Sequence, residues 1–226
     1  MNDSESFSRE KAIDRYLILM HEIDLRVKLV AKACKGDLNL SPPFAREYAY
    51  LQFRKICELL ALGCQLLHGD LATAQTIKAK REWNAEKIMK RLLEDHPHVF
   101  PQSVSMEKSE KGWHIKGNFR PNAISLEGFK KLYIYCGYVL HRGSIRSLEL
   151  KCHISTDDYK KVMEWQSKLV DLISQHLVPT SNGRECYYVS FKEDDRSPEC
   201  SFFSFKESGE VDVLTRKLDI RSADRT

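Results

Sequence analysis

Residues 42–69 read PPFAREYAYLQFRKICELLALGCQLLHG, and between Tyr48 and Leu67 only Gln52, Arg54, Lys55, Glu58 and Gln65 are conspicuously polar. A helix that is apolar around most of its circumference belongs in the middle of a packed structure, not on its surface. Ser41 precedes two prolines, a cap followed by residues suited to a first helical turn, and Gly69 can stop the helix. This stretch therefore predicts a central helix that other helices must cover.

The flanking sequence supplies them. Ser8 opens a pattern with Tyr16, Met20, Ile23, Val27, Val30 and Ala31 on one face, ending near Gly36. Asp70 is placed to cap a third helix continuing to about Asp95, where His96-Pro97 breaks it. Ser103 to Phe119 reads as a hairpin with a lysine- and glycine-containing turn. Ser125 caps a run ending at Leu140, and Ser155-Thr156-Asp157-Asp158 begins a helix through Leu177, closed by Pro179. ECYYVSF, ECSFFSF and GEVDVLTRKL then alternate or cluster aromatic and β-branched residues around turns, as in a short antiparallel meander. The expected fold is mainly α: a helical bundle over 1–180 with a hairpin near 103–119, and a small C-terminal antiparallel β element over 181–226.

The chain has 226 residues, 42% hydrophobic and 30% charged, the composition of an ordinary globular protein. No apolar run reaches the roughly 18 residues of a membrane span. The start, MNDSESFSRE, lacks a basic segment followed by an apolar one. A cytoplasmic protein with no membrane partner is expected. Seven cysteines, an odd number, include no C-x-x-C pair, so they read as small buried hydrophobes and no metal site is expected. The phosphate-binding, dinucleotide, esterase and zinc-protease templates are absent, and no cofactor is expected.

On a helical wheel Glu47, Arg54, Glu58 and Gln65 form one stripe, with Arg54 and Glu58 one turn apart. The stripe is either the sliver facing water or a buried pair holding another polar group. The candidate for that group is His141, in LYIYCGYVLHRGS at 132–144. His141 and Arg142 also suit a plain helix terminus, since the dipole favours cations there and Gly143 can end the helix.

EYAYLQFRKICELLALGCQLLHGD, DHPHVFP and YCGYVLHRGS resemble segments that recur in this order in an uncharacterised bacterial helical family. More remotely, Arg-x-x-x-Glu followed by a tyrosine-rich helix ending in histidine is similar to the HEPN superfamily, over roughly residues 42 to 150. That resemblance implies a helical bundle acting on RNA, with metal-independent cleavage in a toxin or phage-defence setting. It would make His141 a general base or acid, put Arg54 or Arg142 on the phosphate, have Glu58 orient one of them, and let Tyr135 assist. HEPN ribonucleases carry Arg-x4-6-His. Here that spacing is met by Arg15 and His21, by Arg91 with His96 or His98, and by Arg146 and His153, but not by His141.

The third helix carries a separate signal. Ile77, Ala85, Ile88, Met89, Leu92 and Leu93 share one side, while Lys80, Lys87, Lys90 and Arg91 occupy the other with Trp83 among them. A tryptophan among lysines can stack a base while the cations neutralise phosphates. It can also anchor a protein partner or pack beneath the meander. RNA is thus one expected partner. The rival reading is a non-enzymatic interaction module or oligomeric scaffold, binding a second copy or a cognate protein, in which Arg54, Glu58 and His141 are structural.

Overall fold

A computed structural model describes residues 7–110, 112–117, 120–141, 156–191 and 197–219. Helix α1 (Arg9–Lys35) starts at Ser8 and ends on Gly36, whose φ of 85° is the left-handed conformation that glycine adopts without strain. It buries Ile13, Tyr16, Leu17, Met20, Ile23, Val27 and Val30, the three-and-four spacing of one helix face. Helix α2 (Pro42–Leu67) packs against it and is the central helix expected, with Phe53, Ile56, Cys57 and Ala61 fully buried. The two approach closely at Gly63, where an added Cβ would stand 2.7 Å from the ring of Tyr16.

The single third helix expected over residues 70–95 is three pieces: α3 (Ala72–Gln75), α4 (Ile77–Lys80) and α5 (Ala85–Asp95). Side chains that bond the backbone locally interrupt it. The Thr76 hydroxyl accepts from Ala79 N–H at 3.1 Å, and the Asn84 carboxamide accepts from Lys87 N–H at 3.1 Å. Between them the Glu82 carboxylate accepts from the N–H groups of Trp83 and Asn84. The Thr76 and Asn84 bonds each start a new helix at the expense of continuing the old one, and the Glu82 bonds hold the turn between.

The next elements are β1 (Gln102–Ser109), β2 (Gly112–Gly117), α6 (Leu126–Leu140), α7 (Thr156–Ser174), β3 (Gln175–Pro179), β4 (Glu185–Phe191), β5 (Pro198–Phe205) and β6 (Val211–Lys217). The strands form one antiparallel sheet in the order β2-β1-β3-β4-β5-β6. This corrects the expected fold class. The hairpin and the C-terminal strands are not two small β features on a mainly α bundle; they are halves of a six-stranded sheet, joined where Gln102 faces Leu177 and Ser103 faces His176. The expected helix through Leu177 ends at Ser174, and the five residues that follow are the joining strand.

Helices α1 and α7 lie against the sheet. His176, Val178, Tyr187, Val189, Cys200 and Phe202 are buried, whereas Leu177, Tyr188, Ser201 and Phe203, on the alternate positions, are only partly so. One hydrophobic core runs from Ile13 in α1 to Phe202 in β5. Polar ties reinforce the junction at its rim. Arg9 reaches Glu185 at 3.0 Å and lies 4.2 Å above the Phe202 ring, and Arg216 grips Asp14 with two nitrogens at 2.9 and 2.6 Å. No helix among the described residues is long and apolar enough to cross a membrane.

Candidate functional site

Arg54 and Glu58 do meet, one turn apart on α2, with Arg54 Nε 3.3 Å from Glu58 Oε1. Lys55 Nζ lies 2.8 Å from the other carboxylate oxygen. The Arg54 side chain is 24% exposed and that of Glu58 12%, so the pair sits at the edge of the core. Across from it stands Tyr133 of α6. Arg54 donates to the Tyr133 hydroxyl at 3.3 Å, and its guanidinium lies 4.8 Å from the centre of that ring. Gly137, one turn on, leaves Arg54 space along α6: an added Cβ would be 3.6 Å from its terminal nitrogen. Burial raises the Tyr133 hydroxyl above its ordinary pKa, opposed by the neighbouring Arg54 charge. The cluster thus ties α2 to α6 with the guanidinium satisfied by a carboxylate and a phenol.

The thiols beside it are held neutral. Burial pushes Cys57 well above the ordinary range and Cys136 up to about 12. A thiol that stays protonated is neither a nucleophile nor a metal ligand. The six cysteines described are all free, five of them buried. Among the described residues no three histidine, cysteine or acidic side chains are grouped as a metal site would need.

His141 stands one turn beyond Gly137. It is the residue that ends α6, extended at φ −93° and ψ 131°, with its backbone N–H donating to Gly137 O at 3.1 Å and its side chain exposed. Among the described residues no hydrogen bond or ion pair joins His141 to Arg54 or Glu58. Arg142 and Gly143 fall outside the described residues. Tyr135 packs edge-on to Tyr50 at 5.3 Å and is stacked with Tyr138 at 6.2 Å. Tyr133, not singled out from sequence, is the tyrosine that Arg54 uses. Its signal was the buried face of α6, where Phe129, Leu132, Tyr133 and Cys136 repeat at helical spacing and Tyr135 does not.

These placements give different expectations for two substitutions. Glu58→Ala strands the Arg54 guanidinium at the core's edge and is expected to destabilise the fold by about 2 kcal/mol, the range for hydrogen bonds to charged groups. His141→Ala at an exposed position should change stability by no more than about 0.5 kcal/mol. Urea denaturation of the two variants measures both; equal losses would contradict the structural role given to Glu58.

The cationic segment is arranged differently from the single basic helix face expected. Lys80 ends α4, Trp83 stands in the capped turn, and Lys87, Lys90 and Arg91 follow on α5. The lysines are exposed and Arg91 is half-buried. Trp83 is 62% exposed and does not pack under the sheet. Lys78 and Arg81 add exposed charge to the same short unit. One of its two acids, Glu82, is already engaged by backbone N–H groups, which lower its pKa. An outward-facing indole thus stands on a turn braced by three side-chain caps among six cationic side chains.

No protein-family model matches this chain, and neither the curated proteins nor the solved structures include a match for it.

Proposed function

We propose that the protein binds single-stranded RNA through the segment from Lys78 to Arg91. The observation that carries this reading is the exposure of Trp83. A residue that gains much from burial is instead held outward on a turn stiffened by Thr76, Glu82 and Asn84. An indole so placed offers a flat face for a base, and the surrounding lysines offer phosphate contacts, the combination that binds unpaired strands with little sequence preference. RNA is preferred over DNA on the HEPN resemblance, as is a toxin or phage-defence setting. Cleavage has less support than binding, because among the described residues no hydrogen bond or ion pair joins Arg54 to His141.

A fluorescein-labelled single-stranded RNA, titrated with protein at low salt and followed by anisotropy, tests the proposal. Trp83→Ala should weaken binding by about tenfold or more, the effect of losing one stacked base. Lys87→Ala should lower the slope of log affinity against log salt by about 0.7. Unchanged affinity in folded Trp83→Ala would remove the reading, and a DNA strand of the same sequence measures the preference for ribose.

One observation favours the interaction-module alternative. Ile134 and Tyr138, one turn apart on α6, are 63% and 75% exposed, an apolar pair suited to a protein surface. In that reading a cognate protein or a second copy covers α6, and Arg54 and Glu58 serve only to hold the helix in place.

A further inference from the structure

On the side of the helical layer where α1 begins, a groove of about 770 Å³ opens between α1, α2 and the α3–α4 segment. Its volume lies within the range of small-molecule sites, roughly 300–1,000 Å³. Three cationic side chains line it, Lys11 and Arg15 from α1 and Lys80 from α4, and among the described residues no aspartate or glutamate does. The floor is apolar, formed by Leu62 and Leu66 of α2 and Ala12 of α1. Phe7 forms an aromatic wall, its ring so close to Gly69 that a Cβ there would meet it at 2.8 Å.

Two glutamines complete the lining, and their orientation is fixed by their partners. Gln65 donates through Nε2 to Ala79 O at 3.0 Å, and Gln75 through Nε2 to Asp70 O at 3.3 Å. Carbonyl oxygens only accept, so each amide group must turn its NH2 to the backbone and retain Oε1 as an acceptor. The groove also opens beside Ser8 at the N-terminus of α1, where the Ser8 side chain makes no capping hydrogen bond and the helix dipole favours negative charge.

We propose that this groove binds a small organic anion with a flat apolar body. Arg15 and Lys80 would take the anionic group. Phe7 and the leucines would cover the body, and a glutamine Oε1 could accept from a donor on it. Neither half suffices by itself: inorganic phosphate leaves the apolar floor uncovered, and a neutral aromatic brings no negative charge to Arg15 and Lys80. Phosphate and carboxylate headgroups share the required chemistry. The groove shares Lys80 with the proposed RNA surface but does not depend on that reading.

The test titrates the full chain with 1-naphthyl phosphate, 1-naphthoate, 1-naphthol and inorganic phosphate by calorimetry. Saturable binding of at least one naphthyl anion is expected, about tenfold or more tighter than 1-naphthol or phosphate, and the stronger of the two anions identifies the headgroup. Arg15→Ala and Lys80→Ala, both at exposed positions, should each weaken it about tenfold, as for a lost charge-assisted contact. Thermal melting checks that each variant is folded. No saturable binding of either anion up to about 1 mM, a very weak affinity, would overturn the proposal, as would binding indifferent to both substitutions. Failure of RNA binding alongside intact naphthyl phosphate binding would count against the RNA surface and leave the groove standing.

Discussion

Between pH 6.5 and pH 4 the protein is expected to lose about 3 kcal/mol of stability through His176 alone. His176 is the second residue of β3, 1% exposed, and its Nε2 shares a 2.8 Å hydrogen bond with the Tyr16 hydroxyl. The carbonyls of Leu172 and Ile173 also act on the ring, and its Nδ1 makes no hydrogen bond of ordinary geometry. Burial depresses its pKa from 6.5 to about 4, with those two carbonyls opposing the shift only in part. The unfolded chain takes up its proton near pH 6.5 and the folded chain only near pH 4, so within that window the unfolded state binds more protons. Stability therefore rises with pH through the window and is fully present above it. At about 1.4 kcal/mol for each pH unit, the separation yields the figure above.

No carboxylate contacts this imidazole among the described residues. Its polar neighbour Tyr16 is itself held neutral, its pKa raised well above 10 by burial first and by Cys64 and Cys200 second. His68 adds to the trend, since burial lowers its pKa too, against the carbonyls of Cys64 and Pro179 that its two ring nitrogens face. Urea denaturation at pH 7.5, 5.5 and 4.5 would show the loss. In His176→Leu the protein should be less stable at pH 7.5, through the stranded Tyr16 hydroxyl, yet lose less between the two ends. An unchanged pH dependence in that variant would refute the assignment.

Gly63→Leu is expected to be the most damaging single substitution along α2, at about 3 kcal/mol or more. Even the Cβ of alanine would lie 2.7 and 3.0 Å from two carbons of the Tyr16 ring. That ring is rigid, fully buried and tethered at its far end to His176. Overpacking of this kind costs about 1–3 kcal/mol, so Gly63→Ala, which regains about 1 kcal/mol of helix propensity, should be only mildly destabilising. Leucine adds further atoms with nowhere to go. Contact predicts coupling: in a double-mutant cycle, Gly63→Leu should cost less when Tyr16 is already leucine. Strict additivity would show that the two helices do not meet at this point as described.

The elements legible in the sequence are those whose signals are local. The limits of α1, α2 and α6 follow from Ser8, Gly36, Ser41, the paired prolines, Ser125 and an apolar period that stops on time. The hairpin was legible from alternation and its turn. β3 was not, because Leu172, Ile173, Leu177 and Val178 continue an apolar run until Pro179, and what makes residues 175–179 a strand is pairing on both sides, with β4 along its length and, at His176 and Leu177, with residues about seventy positions earlier. Without that strand the six-stranded sheet separates into two unrelated β features. The break at Trp83 was readable in principle from Thr76 and Asn84, both residues that cap helices, but the apolar positions on either side kept a continuous helical phase and hid it.

The candidate site divides in the same way. Arg54 and Glu58 were legible because they lie one turn apart on one helix. Their partner Tyr133 was not, since it comes from another helix, and the more conspicuous Tyr135 and His141 drew the reading toward the end of α6. The cationic segment was visible as composition, while its geometry, an exposed indole on a braced turn, depends on the caps.

A labelled single-stranded RNA incubated with wild-type protein, once in excess chelator and once with Mg2+, and divided between an anisotropy measurement and a denaturing gel, separates binding from cleavage. The account predicts that the strand is bound and remains full length in both samples. Absence of binding at low salt would contradict it, and so would shortened products that disappear in a folded His141→Ala variant, which would return the chemistry to the end of α6.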